Sequence, residues 1–113
     1  MGLDQYAGSR EMLDCQFVWR KHAKLQKYME DLWYKQNDGE FNCQHLVLSK
    51  VDILNLKQAI ENNEMPKSEG GFFFGHQFQD ESEQEYKEQD LKFCDWALAE
   101  IECGREVVYH CWY

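Results

Sequence analysis

Residues 83–113 read EQEYKEQDLKFCDWALAEIECGREVVYHCWY. Leu91, Cys94, Leu98 and Ile101 recur at steps of three and four, the spacing of one helix face, and Phe93 and Ala97 broaden the stripe. Six acids crowd the approach and the first turns: Asp80, Glu81, Glu83, Glu85, Glu88 and Asp90. Negative charge there suits the positive end of the helix dipole. The spacing predicts a helix over 83–103, and Gly104 stands where a residue just past a helix end takes the left-handed conformation. From Glu106 to Tyr113 the chain turns β-branched and aromatic, which is strand composition. A long helix handing over to a strand through one glycine makes this a mixed α and β domain.

Working back from that pair, residues 17–35, FVWRKHAKLQKYMEDLWYK, place Val18, His22, Leu25, Met29 and Leu32 at helical steps. Arg20, Lys24 and Lys27 fall on another face of the same expected helix, and the polar run Gln36 to Gly39 ends it. Residues 41–48, FNCQHLVL, alternate as a strand, with Phe41, Cys43, His45 and Val47 on one side. Ser49 followed by Asp52 is close to a capping box. It opens a helix over about 50–62 with Ile53, Leu56 and Ile60 inward, closed by Asn62-Asn63. Pro66, the only proline, forbids continuation. Residues 2–7 are the expected first strand. The order β-α-β-α-loop-α-β gives an α+β fold, a small sheet of about three strands with three helices packed on it, as a single domain over 1–113.

The loop over 64–82 is longer than a compact domain carries without a functional reason or hidden structure. It contains Gly70-Gly71-Phe72-Phe73-Phe74-Gly75. Glycines on both sides break helix and strand periodicity, yet each phenylalanine offers a large apolar surface. The triplet therefore anchors the loop in the core, lines a pocket together with Tyr6, Trp19 or Trp112, or docks a partner.

Charge and cysteines narrow the function classes. With 21 acidic against 12 basic residues the formal charge is −9. Long-range repulsion then opposes non-specific binding to nucleic acid or an anionic membrane. An acidic surface can also imitate a nucleic-acid backbone, although solvation of a small domain is the plainer reading. Cys15, Cys43, Cys94, Cys103 and Cys111 are odd in number and form no CxxC. No secretory n-region and h-region opens the sequence, and no apolar run approaches the roughly 20 residues of a membrane span. The cysteines are expected to be reduced and mostly buried, in a cytoplasmic protein.

Motifs for chemistry are weak. Cys43 and His45 share a strand face while His110 and Cys111 end another strand, so pairing of those strands would bring nitrogen and sulfur ligands toward zinc. His110 and Cys111 point to opposite faces, however, and only one could join; no metal, cofactor or catalytic residue is assigned. A cysteine nucleophile paired with His45 or His110 would be an accident of composition, since nothing marks a depressed thiol pKa. The Arg20, Lys24, Lys27 stripe could hold a phosphate or carboxylate. Its plainer role is a solvated face, or a partner for the acidic helix start around Glu83–Asp90.

The ordered set Met1-Gly2-Leu3-Asp4 with Tyr6, Trp19-Arg20-Lys21, Phe41-Asn42-Cys43, Gly71 to Gly75, Tyr86 with Asp90-Leu91, and Val107 to Trp112 resembles a family of small uncharacterised phage, prophage and bacterial proteins. The resemblance spans almost the whole length. It departs from the family pattern at Gln5, where methionine is common, and at Trp112-Tyr113, where two tryptophans are common. Members sometimes carry a phosphoglycerate-kinase label, which a chain of this size without a phosphate-binding glycine loop does not fit. The resemblance implies a phage-type origin, hence a bacterial host cytoplasm, and supplies no catalytic residues. The resulting expectation is an accessory protein that acts by binding, on a host protein or a second copy of itself, as an interaction or inhibitory module. The alternative is a small-ligand binder or enzyme with a pocket between the Phe72–Phe74 loop and the sheet. Contact residues in either case are Phe72, Phe73, Phe74, Gly75, Trp19, Arg20, Lys24, Tyr6 and Trp112.

Overall fold

The computed structural model describes residues 3–9, 16–37, 39, 41, 45–66 and 79–112. In chain order these form β1 (Asp4–Ser9), β2 (Phe17–Arg20), α1 (Ala23–Gln36), β3 (His45–Leu48), α2 (Lys50–Glu61), α3 (Gln79–Glu102) and β4 (Val107–Trp112). The strands make one antiparallel sheet in the order β2-β1-β4-β3. The first and last strands of the chain are therefore neighbours at its centre. The architecture is α+β, as the residue pattern predicts, with four strands where about three were expected.

The additional strand comes out of the expected first helix. Phe17, Val18 and Trp19 are aromatic or β-branched and favour a pleated surface. Pairing with β1 turns Phe17 and Trp19 inward, while Val18 and Arg20 face out. A helix cannot run through the next residue, because Lys21 sits in the left-handed region at φ 57°. α1 therefore starts at Ala23, after His22. Val18 and Arg20 are not helical, and the basic stripe Arg20, Lys24, Lys27 does not exist as one surface.

The other expectations stand closer to the structure. Ser49 and Asp52 form the complete reciprocal box: the Ser49 hydroxyl accepts from Asp52 N at 3.2 Å, and Asp52 Oδ2 accepts from Ser49 N at 3.0 Å. α2 buries Ile53, Leu56 and Ile60. Gly104 takes φ 82° after α3, where a Cβ would be strained. α3 starts at Gln79, earlier than Glu83, with Asp80 and Glu81 in its first turn.

One face of the sheet carries the core. Ala7, Trp19, Leu46, Leu48, Val107, Tyr109 and Cys111 pack with Leu25 and Met29 of α1, Ile53, Leu56 and Ile60 of α2, and Phe93, Cys94 and Ala97 of α3. The centre of the α3 stripe lies one residue from the expected one. Phe93, Cys94 and Ala97 are fully buried, and Leu91, Leu98 and Ile101 flank them, partly covered.

Candidate functional site

At its N-terminal half the inward face of α3 is polar. Glu83, Tyr86 and Asp90, spaced to share one helix face, turn toward the end of β2 and the start of α1. Asp90 uses both carboxylate oxygens. Trp19 Nε1 donates to Oδ1 at 2.7 Å, and His22 Nε2 lies 2.7 Å from Oδ2. The carboxylate can only accept, so the hydrogen is on Nε2. Nδ1 of the same ring is buried with no partner among the described residues. Tyr86 stacks on the imidazole with ring centres 5.2 Å apart. One turn earlier, Glu83 Oε1 accepts from Lys24 Nζ at 3.0 Å, and Asp80 meets the same ammonium at 2.9 Å. Burial alone would lower the Lys24 pKa, but the hydrogen bonds to Asp80 and Glu83 outweigh it and raise the ammonium above its ordinary value.

A second buried polar line joins sheet to helix. Gln5 Oε1 accepts from His22 N at 2.8 Å, and Gln5 Nε2 donates to His22 O at 3.1 Å and Tyr109 Oη at 2.9 Å. The Tyr109 hydroxyl donates to Gln26 Oε1 at 2.6 Å. Gln26 Nε2 in turn donates to Glu30 Oε1 at 3.1 Å and Cys111 Sγ at 3.3 Å. This line replaces a side-chain cap at the start of α1 with backbone bonds to a strand glutamine.

A carboxylate oriented on an imidazole is the pairing that general-base chemistry uses. Here His22 is 0% and Asp90 1% exposed, so no reactant reaches either group. Their work in this fold is to clasp α3 onto β2 and α1. The thiols are equally unsuited to nucleophilic chemistry where they are buried. Burial first, then the nearby Asp90 and Asp95 carboxylates, push Cys94 up to about 12.

α3 also closes the outer edge of the sheet at β2. Tyr86 Oη accepts from Arg20 N at 3.2 Å and donates to Arg20 O at 3.4 Å, while Gln89 Nε2 donates to Val18 O at 2.7 Å. These side chains occupy backbone groups that an added strand would need. Beside them an open groove of about 490 Å³ is lined by Gln16, Phe17, Val18, Glu85, Glu88, Gln89 and Lys92.

The opposite face of the sheet is exposed at Val18, Val47 and Trp112, while Val108 on the same face is buried. Cross-strand partners share a face, so the registers place Val18 and Arg20 of β2, Asp4 and Tyr6 of β1, His110 and Trp112 of β4, and His45 and Val47 of β3 together. Tyr6 stacks on His110 with ring centres 4.9 Å apart, and His45 meets His110 edge-on at 5.0 Å. Trp112 is 66% exposed, and Val18 and Val47 are exposed as well. Arg20 and Asp4 approach to 3.7 Å, a solvated pair of small energetic weight.

The structure therefore divides the residues singled out from sequence. Tyr6, Arg20 and Trp112 lie on the open sheet face. Trp19, 1% exposed, and Lys24, 4% exposed, are engaged inside the fold. Of the three basic residues only Lys24 is held by the acidic start of α3, while Arg20 pairs with Asp4 and Lys27 with Asp31. Phe72, Phe73, Phe74 and Gly75 lie outside the described residues. Sequence reading missed the roles of Gln5, His22, Tyr86 and Asp90. Its one available signal was a histidine within an otherwise apolar helical spacing.

The chain matches no protein-family model, no curated protein sequence and no solved structure. Among the described residues no helix is long and apolar enough to cross a membrane.

Proposed function

We propose that this chain is a phage-type accessory protein acting by binding, and that it recognises a partner protein through the open face of its sheet. The observation that carries the reading is the cluster of Tyr6, His110 and Trp112 on that face, beside Val18 and Val47. Rigid aromatic side chains give large contact area for little lost entropy, and such residues dominate protein interfaces. A tryptophan left two-thirds bare on a regular strand has no role in the core. The formal charge of −9 favours a protein surface over nucleic acid as the occupant.

The test is capture of host proteins by the tagged chain beside Trp112→Ala, Tyr6→Ala and Val51→Ser. Val51 is exposed on α2, away from the sheet face, and controls for general stickiness. The reading expects a defined captured protein that Trp112→Ala and Tyr6→Ala lose and Val51→Ser keeps. Capture that survives both aromatic substitutions would exclude this face. The groove between β2 and α3 is where a small-ligand reading would turn. Its walls carry Glu85, Glu88, Gln89 and Lys92, so substitution of Lys92 and Gln89 tests it separately.

A further inference from the structure

We infer that His45 and His110 form a binding site for an imidazole-preferring divalent transition metal, zinc or its neighbours, on the open face of the sheet. The strand pairing that the zinc argument required is present. β3 and β4 are antiparallel neighbours, and His45 and His110 are direct partners in register. Cys111 takes the opposite face and is buried in the core, so His110 is the residue of that pair that can join.

Distance is the stronger argument. A zinc-bound imidazole nitrogen lies about 2.0–2.1 Å from the metal, and its ring centre roughly 1.2 Å further, so two rings at ligand angles of about 90–109° have centres about 4.5–5.2 Å apart. The observed separation is 5.0 Å. The two rings now meet edge-on at 71°, so joint ligation requires His45, which is exposed, to rotate about its side-chain bonds. His110 is already oriented, because Tyr6 stacks on its ring.

Two imidazoles do not close a tetrahedral site, and no third ligand joins them among the described residues. Water or a donor from a bound protein would have to fill the remaining positions. The pair shares His110 with the proposed protein contact, and zinc titration of the chain without a partner tests the metal site by itself.

Calorimetric titration of the untagged full chain with ZnCl₂ tests it, beside His45→Gln, His110→Gln, His76→Gln and Cys103→Ser. The last two remove competing donors, Cys103 being an exposed free thiol. Expected is one zinc per chain, with affinity falling at least about tenfold in each of His45→Gln and His110→Gln, and within about twofold of the parent in His76→Gln and Cys103→Ser. Parent-like binding by His45→Gln, whose exposed position tolerates the change, would overturn the site, as would loss of binding in Cys103→Ser. Electron paramagnetic resonance with CuCl₂ gives an independent readout. Hyperfine coupling to two imidazole nitrogens supports the pair, and a one-nitrogen or thiolate spectrum overturns it.

Discussion

His22 Nε2 lies 2.7 Å from Asp90 Oδ2, with both side chains closed off from solvent. The other oxygen of the same carboxylate takes the indole N–H of Trp19. One residue on α3 thus fixes the end of β2 and the start of α1, elements separated from it by most of the chain. Taking a charge out of water is costly unless its oxygens find donors. Each Asp90 oxygen has one here, and the two donors come from β2 and from the residue that opens α1, so the carboxylate ties α3 to both.

Removing one partner should therefore cost more than the pair contributes. Asp90→Ala is expected to lose about 3–5 kcal/mol of stability, because His22 is left buried without its acceptor. Trp19→Phe keeps most of the ring packed on Phe93 but strips a donor from the carboxylate, at about 1–3 kcal/mol. Urea unfolding measures both. A loss below about 1 kcal/mol for Asp90→Ala would show that the clasp is dispensable.

Lys24 and Glu83 form the second buried pair, and Lys24→Met should destabilise strongly by orphaning Glu83. The double variant Lys24→Met with Glu83→Leu should recover most of that loss, since no buried unpaired charge remains and Asp80 is largely solvated. A double-mutant cycle reads the coupling directly. The raised Lys24 pKa adds stability that is fully present below its unfolded value of 10.5 and lost as pH rises through the folded one. Tyr28, pushed up to about 12 by burial first and then by Asp52, has the same sign, because the fold prefers its neutral form. Stability should fall above pH 10, the ordinary tyrosine value, and the fall should be smaller in Lys24→Met and Tyr28→Phe than in the parent.

On the acid side two groups act in opposite senses. Burial and His45 lower the His110 pKa, so its contribution is present above the ordinary value of 6.5 and lost as pH falls through the folded value. His110→Gln should flatten the decline below pH 6.5. Burial raises Glu30 above 4.5, so the fold loses stability as pH rises through that group's folded value. Glu30→Gln should stabilise the protein at neutral pH and lose its advantage below about pH 4. Thermal melts across a pH series separate the two effects, and a Glu30→Gln advantage that persists at pH 3 would contradict the assignment.

Thiol accessibility gives a prediction of rates. Cys103 is exposed, while Cys94 and Cys111 are buried in the core. Brief alkylation of the native protein followed by peptide mass mapping should label Cys103 and leave Cys94 and Cys111 unmodified until denaturant is added. Labelling of Cys94 at the rate of Cys103 would mean that α3 is not packed as described.

Local patterns were legible wherever the deciding interactions lie within a few residues. The Ser49–Asp52 box, the inward faces of α2, the glycine after α3 and the terminal strand all depend on neighbours in the chain. The first helix was misread at its start because Val18 and His22 have helical spacing to Leu25, while the pairing of Phe17–Arg20 with β1 is non-local. The candidate surface was half legible. Tyr6, Arg20 and Trp112 were singled out as contacts, but nothing in their spacing placed them on one face. Trp19 and Lys24 looked equally available, and both are enclosed.

What the sequence determined by itself is the class of fold, the approximate positions of the described helices apart from the start of α1, and three of the four described strands, because hydrophobic periodicity and capping act over one or two turns. Tertiary structure alone decided that the chain's first and last strands meet at the sheet centre and that α3 caps the edge at β2. It also decided that Asp90 is a buried acceptor rather than one more surface acid, and that His45 faces His110. Each of these is a contact between residues far apart in the chain. Its energy depends on the desolvation and geometry that only the assembled core supplies.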